Sequence, residues 1–424
     1  MRFTEDNFDA ACEACAEVLR LKHPADGVLS GFFRSHPQLG KQDRTLVAET
    51  VYAVLRRKRL LEFILGGSAV RQMVLAAWTV LLGANLREVD SFARKVEMEK
   101  INEAKRAAHG ELPLAVACDL PDWLMEKLIA QIGDAGARGE AELRELANGL
   151  LQTAPLDLRV NIVKTSRDES RARLAADGVT VADTPYSPYG LRVVGNPPIN
   201  RHPLFVSGAL EVQDEGSQLL CMLLGVRRGE MVADFCAGAG GKTLAMGMLM
   251  RSTGRLNAFD VSERRLANLK PRLARSGLSN VHPRRIDGEK DIRLQRLQGK
   301  LDRVLVDAPC SGLGTLRRNP DLKWRQSLES VMEMQAKQSS ILAAAAKLVR
   351  PGGRLVYATC SLLHEENQAV VDVFRASHPG FNLVPVSDVL REERVAIVMG
   401  DYLELRPHIH GTDGFFAAVL ERQS

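Results

Sequence analysis

Two short segments set a cysteine where it could do chemistry: DAPCSG at 307–312 and YATCSL at 357–362. Each places Cys-Ser just after an apolar run, with Pro309 or Thr359 ahead of the sulfur. Either both are buried structural cysteines, or two thiols are delivered to one place. Methylation of a pyrimidine carbon calls for such thiols. C5 of cytosine is a poor nucleophile until a thiolate adds at C6 and makes the ring enamine-like, after which C5 can attack a methyl sulfonium. The C5 proton must then leave and the thiolate be expelled, and a second thiol beside the first can supply the base. Hydrogen bonding at N3 would make the ring more electrophilic, and Asp307, three residues before Cys310, is placed for it. A nearby cation such as Lys242 would lower a thiol pKa, and a paired target base would have to be flipped out.

A third segment, CAGAGGKT at 236–243, follows an apolar strand and precedes a helix, the context of a nucleotide-type loop. As a phosphate-binding P-loop it fails at the first glycine, where Cys236 stands, and as a G-x-G-x-x-G loop it fails at the last, where Thr243 stands. An S-adenosylmethionine loop, with the amino-acid end of the ligand against the glycines, tolerates the pattern best. Asp260 ends the next strand about twenty residues on, where a carboxylate can accept from both ribose hydroxyls. Asp287 ends the third strand and could hold an adenine amine, and Asp307 ends the fourth. Any one of these could be a solvated turn cap; three at successive strand ends favour a cofactor cleft.

The elements that must position these residues show in the alternation of strand and helix from about Met231. MVADFC precedes the glycine loop, RLNAFD precedes a helix opened by Ser262, and NVHPRRID and DRVLVDAPC follow. A helix from about Leu328 to Val349 leads into GGRLVYATC, and DGFFAAVL reads as a last, antiparallel edge strand. This alternation implies a mainly parallel, doubly wound α/β sheet with ligands at the carboxyl ends of its strands. Cys310 and Cys360 then fall just past the fourth and fifth strands, 360 − 310 = 50 residues apart, which is one helix-containing crossover.

Upstream, Leu156, Leu158, Val160 and Ile162 alternate with Asp157, Arg159 and Asn161 as in a half-buried strand. Ser166 and Glu169 form a capping-box signature, Gly178 closes that helix, and VTVAD and LRVVG read as two further strands of a small α+β module. TPYSPYG and NPPINRHP read as proline-rich connection. From Ala10 to about Gly133 the pattern is helical, with one stripe at Leu46, Thr50, Val51, Val54 and Leu55 and another at Leu124, Leu128 and Ile132, opened by Pro121 and Asp122. Arg56, Arg57, Lys58 and Arg59 form a charge run, read as a solvated face with phosphate contact as the alternative. Cys12 and Cys15 form a C-x-x-C with no second pair at zinc spacing, so they read as small buried residues and no metal is expected.

A chain of 424 residues suggests two or three domains. The net charge of +5 permits a nucleic-acid partner, while 5% aromatic residues argue against a stacking platform for single strands. Seven scattered cysteines suit a reducing compartment. The apolar runs fall short of the roughly 20 residues of a membrane span, and MRFTEDNFDAAC has no apolar signal core. The expectation is a cytoplasmic monomer with no membrane partner.

DAPCSGLGTLRRNPDLKW, LVYATCSLLHEENQ, VQDEGSQ, GGKT and DGFFAAVL together closely resemble the RNA cytosine-C5 methyltransferases of the bacterial RsmB/Sun/Fmu branch, over roughly Leu156 to the C-terminus. The resemblance implies three domains: an all-helical NusB-like RNA-binding domain over 1–148, a small α+β, RRM-like RNA-guiding module over 149–210, and a Rossmann-like S-adenosylmethionine-dependent catalytic domain over 211–424. It implies that Cys360 is the nucleophile and Cys310 assists release. It places the cofactor contacts on Cys236, Ala237, Gly238, Ala239, Gly240, Gly241, Lys242, Asp260, Asp287 and Asp307, and the small module with LRVN at 158–161 resembles the family's RNA-guiding segment. The substrate it implies is 16S ribosomal RNA, with transfer RNA or another ribosomal site as the alternative. Gly238 and Ala239 stand where the family commonly has Ala-Pro, which should loosen the loop. Outside the resemblance, the rivals are a P-loop-type NTPase and a non-catalytic RNA-binding factor.

Overall fold

The computed structural model describes residues 3–133, 136–195 and 197–424, so Asn196 of the NPPINRHP stretch lies outside the described residues. The chain forms two compact units, Met1–Gln152 with Thr315–Leu328, and Thr153–Gly314 with Glu329–Ser424.

The first unit is helical. Helix Lys41–Arg56 turns Leu46, Val47, Thr50, Val51, Val54 and Leu55 inward, and Trp78 Nε1 donates to Thr50 Oγ1 at 2.7 Å, which satisfies both polar groups inside the core. Helix Asp122–Ile132 starts after Pro121 and ends at Gly133, whose φ of +74° lets the chain leave the helix in the left-handed region. Cys12 and Cys15 both lie on helix Glu5–Val18. Burial pushes the Cys12 thiol up to about 12 and raises Cys15 further, as for packed rather than reactive sulfur.

The RRKR run is not a free basic face. Arg56 donates to the carbonyls of Leu151, Gln152 and Arg317, Arg57 pairs with Asp119 at 3.6 Å, Lys58 with Glu62 at 2.7 Å, and Arg59 with Asp122 at 2.6 Å. Residues 315–328, expected within the catalytic stretch, belong to this helical unit instead. Their anchor is Lys323, fully buried, which donates to Asp119 O at 2.6 Å and Arg56 O at 2.9 Å. Burial draws its ammonium down to about 8 against the pull of Asp119. Trp324 Nε1 donates to Leu55 O at 2.7 Å beside it.

The second unit holds two sheets. In the smaller, β1 (Leu156–Val160), β2 (Val181–Asp183), β3 (Gly190–Val193) and β4 (Leu210–Val212) lie in the order β2-β3-β1-β4. The helix Arg167–Ala176 that follows β1 is closed at its start by the expected capping box, with Glu169 N donating to Ser166 Oγ at 3.2 Å and Ser166 N to Glu169 Oε2 at 2.9 Å. The polar face of β1 departs from a solvated strand, because Asp157 and Arg159 are buried too. Asp157 receives both forks of Arg192, and Arg159 Nε donates to Gln213 Oε1 at 2.6 Å with Nη1 3.4 Å from the sulfur of Met248. Asn161 donates to Gly208 O and Ser276 O. The whole LRVN segment is therefore internal to this unit.

The larger sheet contains β5 (Met231–Asp234), β6 (Arg255–Asp260), β7 (Val281–Arg285), β8 (Leu301–Asp307), β9 (Val349–Thr359), β10 (Phe381–Val384), β11 (Leu403–Leu405) and β12 (Phe415–Arg422). Its order is β10-β12-β9-β8-β5-β6-β7, with β11 paired to β12. The strands from β9 to β7 are parallel, while β12 is antiparallel to β9. The DGFFAAVL strand is thus antiparallel as expected but internal, flanked by β9 and β10, and Phe415–Leu420 are all buried. Helix Leu328–Ala346 supplies the crossover from β8 to β9. Among the described residues no single helix is long and apolar enough to cross a membrane.

Candidate active site

The strand order reverses between β5 and β8, and their carboxyl ends open into a cavity of about 780 Å³ lined by Asp234, Asp260, Lys242, Asp307, Cys310 and Cys360 among others. This is the topological switch point at which doubly wound sheets bind ligands, and the volume is in the range of small-molecule sites.

The loop between β5 and helix Gly241–Leu249 forms one wall. Gly240 has a φ of +83°, and a Cβ there would come within 2.1 Å of Leu269 Cδ1, so both conformation and packing require glycine. Gly238 has a φ of +55° but open space around it. Its N–H donates to Asp260 Oδ2 at 2.8 Å, while Asp260 Oδ1 accepts from Ser262 N at 2.7 Å. Asp260 therefore ties the loop to the end of β6 while lining the cavity.

Lys242 and Thr243 point back to strand ends. Thr243 Oγ1 donates to Asp234 Oδ2 at 2.6 Å, and Lys242 Nζ lies 2.7 Å from Asp307 Oδ2. Burial works against the Lys242 ammonium, yet Asp307 and the thiolate forms of Cys221 and Cys360 raise its pKa above the ordinary lysine range. Asp234 is fully buried; burial and, more weakly, the charge of Asp307 push its carboxyl up to about 7 against the Thr243 hydrogen bond. Its Oδ1 has no hydrogen-bond partner among the described residues. The lysine and threonine on which a P-loop relies are thus both committed to carboxylates.

The two Cys-Ser segments meet. Asp307 and Ala358 are register partners on β8 and β9, and the Cys310 and Cys360 sulfurs lie 3.3 Å apart. Cys310 is held well above its usual range, first by its hydrogen bond to Cys360 and then by burial. Lys242 therefore does not produce a low-pKa Cys310 thiol; its charge is directed at Asp307.

Ten of the residues singled out from sequence line this cavity: Cys236, Ala237, Gly238, Ala239, Gly241, Lys242, Asp260, Asp307, Cys310 and Cys360. Gly240 lies behind them as the start of the helix. Asp287 stands apart: two residues beyond β7, its carboxylate is 66% exposed and paired with Arg285 at 3.1 Å and Arg293 at 3.8 Å, while its neighbours Ile286, Gly288 and Glu289 line the cavity. Sequence reasoning missed Asp234, although its place at the end of MVAD, just before the loop, follows the same strand-end rule as Asp260. Among the described residues no cluster of His, Cys, Asp and Glu could hold a metal ion.

The sheet order, the glycine loop at its switch point and the acidic strand ends define an S-adenosylmethionine-dependent methyltransferase. Residues 221–421 match the family model described as 16S rRNA methyltransferase RsmB/F, and residues 120–200 match the RsmF/B-like ferredoxin-like domain. A Synechocystis protein named probable ribosomal RNA small subunit methyltransferase B is 32% identical over 96% of this chain and 97% of its own. Two solved structures are each 26% identical. The crystal structure of PH0851 covers 98% of both chains at a TM-score of 0.77, and a methyltransferase homologue from Pyrococcus horikoshii covers 73% of this chain and 97% of its own at 0.60. The chain belongs to the ribosomal RNA small subunit methyltransferase B family.

Proposed function

We propose that this protein methylates C5 of a cytosine in small-subunit ribosomal RNA, with Cys360 as nucleophile and Cys310 as the group that completes the reaction. The observation that carries the reading is the pair of sulfurs 3.3 Å apart on the cavity wall beside the Lys242–Asp307 ion pair. The small-subunit ribosomal target follows the names of the relatives.

The cavity suits S-adenosylmethionine. Asp234 Oδ1 is a buried acceptor without a partner and fits the ligand's ammonium; Asp260 fits the ribose, and the glycine loop leaves room for the methionine end. Bound there, the cofactor supplies an electrophilic methyl group. Everything else falls to the protein. Cys360, ionised by loss of its proton to solvent, bonds to C6 of the cytosine. Paired with the Lys242 ammonium, Asp307 presents an acceptor suited to the exocyclic amine, and the ammonium supplies the donor that N3 requires; this replaces direct donation from Asp307 to N3. C5 takes the methyl group. Once Cys360 is bonded to carbon its sulfur is neutral, and the repulsion that opposes a Cys310 thiolate beside a charged Cys360 is relieved. Cys310 can then ionise and take the C5 proton, and the C6–S bond breaks to return the Cys360 thiolate.

Denaturing gels of enzyme incubated with S-adenosylmethionine and small-subunit RNA test this. Cys310→Ala accumulates a denaturant-stable protein–RNA adduct, and Cys360→Ala forms neither adduct nor product. A Cys310→Ala enzyme that turns over normally and traps nothing contradicts the division of roles.

A further inference from the structure

Behind the two thiols lies a buried carboxylate that the chemistry above does not use. Glu366 sits in a short 3-10 turn after β9 and is fully inaccessible to solvent. Its Oε1 accepts from Ser311 N at 2.8 Å and from Gln338 Nε2 at 3.0 Å. Its Oε2 accepts from Ser311 Oγ at 2.5 Å and from Ser361 Oγ. Ser311 follows Cys310 and Ser361 follows Cys360, so one carboxylate grips the residue after each sulfur.

The remaining bonds close the frame. Gln338, on helix Leu328–Ala346, donates its second amide proton to Pro309 O at 2.9 Å, which fixes the residue before Cys310. Thr359 Oγ1 donates to Asn367 Oδ1 at 2.5 Å, and Asn367 Nδ2 donates to Ser361 O at 3.1 Å, which fixes both neighbours of Cys360. Tyr357 Oη donates to Glu366 O at 2.6 Å, which fixes the backbone of the residue that carries the carboxylate. A carboxylate buried among four donors, three from the two loops and one from the helix, is a stronger clamp than neutral hydrogen bonds would make, and each loop it holds carries one sulfur.

We infer that Glu366 is a positioning residue that sets the separation of the Cys310 and Cys360 sulfurs through Ser311 and Ser361. It explains why each cysteine is followed by serine: the hydroxyls are the handles by which the two loops are drawn onto one carboxylate. The inference rests on the proposed two-thiol reaction for its catalytic meaning, but the sulfur geometry can be read without that reaction.

Glu366→Gln, Ser311→Ala and Ser361→Ala separate the possibilities. The first reads sulfur proximity: diamide oxidises the two thiols to a disulfide while being reduced to its hydrazine, and peptide mapping by mass spectrometry follows the 310–360 cross-link over time. Glu366→Gln is expected to slow this cross-link about tenfold, and kcat for methyl transfer should fall about tenfold to a hundredfold, as for a small misplacement of reacting groups. The KM for S-adenosylmethionine should stay within about twofold, since Glu366 does not line the cofactor cavity. If Glu366→Gln folds poorly, the two serine variants, each removing one handle, should show the same split to a smaller degree. Cross-linking and kcat unchanged in all three variants overturn the inference. A wild-type enzyme that cross-links rapidly but makes no 5-methylcytosine overturns the proposed function and leaves the clamp standing.

Discussion

The Sγ atoms of Cys310 and Cys360 lie 3.3 Å apart although 50 residues separate them in the chain. Parallel pairing of β8 with β9, in register at Asp307 and Ala358, brings their carboxyl ends side by side, and the crossover helix Leu328–Ala346 takes up the intervening chain. Two thiolates at this distance would repel strongly, so the proposed reaction has one sulfur attack while the other keeps its proton.

Asp234 makes stability depend on pH. Burial raises its carboxyl from the ordinary 3.8 to about 7, so the folded chain keeps a proton that the unfolded chain has released. The stability this group contributes is present in full below about pH 4 and is lost as pH rises through about 7. Melting temperatures of the cofactor-free protein should therefore fall more between pH 5.5 and about 8 in the wild type than in Asp234→Asn. Calorimetry at pH 8 should show about tenfold or greater loss of S-adenosylmethionine affinity in the variant, since its ammonium loses a charged partner. Parallel melting curves and unchanged affinity would rule out this role.

Gly240 and Gly238 both have positive φ but should respond differently to alanine. Gly240→Ala adds a Cβ within 2.1 Å of Leu269 Cδ1 and should cost about 3 kcal/mol or more, together with cofactor binding. At Gly238 the nearest atom to an added Cβ is Cys236 O at 4.0 Å, so only the conformational cost of about 1–2 kcal/mol remains. Thermal unfolding of the two variants checks the ranking.

Lys323 anchors residues 315–328 among the helices. Lys323→Ala leaves Asp119, also fully buried, with Arg57 at 3.6 Å as its remaining cation and should destabilise the helical unit by about 3 kcal/mol, the lower end for a broken buried ion pair. The chain enters this segment directly after Gly314, whose N–H donates to Cys360 O and whose carbonyl accepts from Gly414 N, both at 2.8 Å. Urea unfolding followed by Trp324 fluorescence should show an earlier transition in the variant. A transition unchanged from the wild type would mean that the anchor contributes nothing.

What could be read from the sequence was whatever depended on local order. The strand–loop–helix of CAGAGGKT, the strand ends at Asp260 and Asp307, and the crossover spacing of the two cysteines all follow from periodicity and chain connectivity. What could not be read was whatever depended on partners distant in sequence. Arg159 alternates like a solvent-facing strand residue, yet Gln213 and Met248 enclose it. The RRKR run has the composition of a phosphate-binding face, yet carbonyls and carboxylates of the same helical unit take up its charges. Asp287 keeps the expected place near a strand end, but Arg285 and Arg293 draw its carboxylate outward. Glu366 gives no local signal at all, because its meaning lies in two serines, 5 and 55 residues away.

Nucleoside mass spectrometry of unmethylated small-subunit RNA, incubated with S-adenosylmethionine and either the wild-type protein or Cys360→Ala, tests the central claim most directly. The account predicts 5-methylcytidine with the wild type and none with Cys360→Ala. A methyl group found on any other atom, or 5-methylcytidine formed equally well without the Cys360 sulfur, would contradict it.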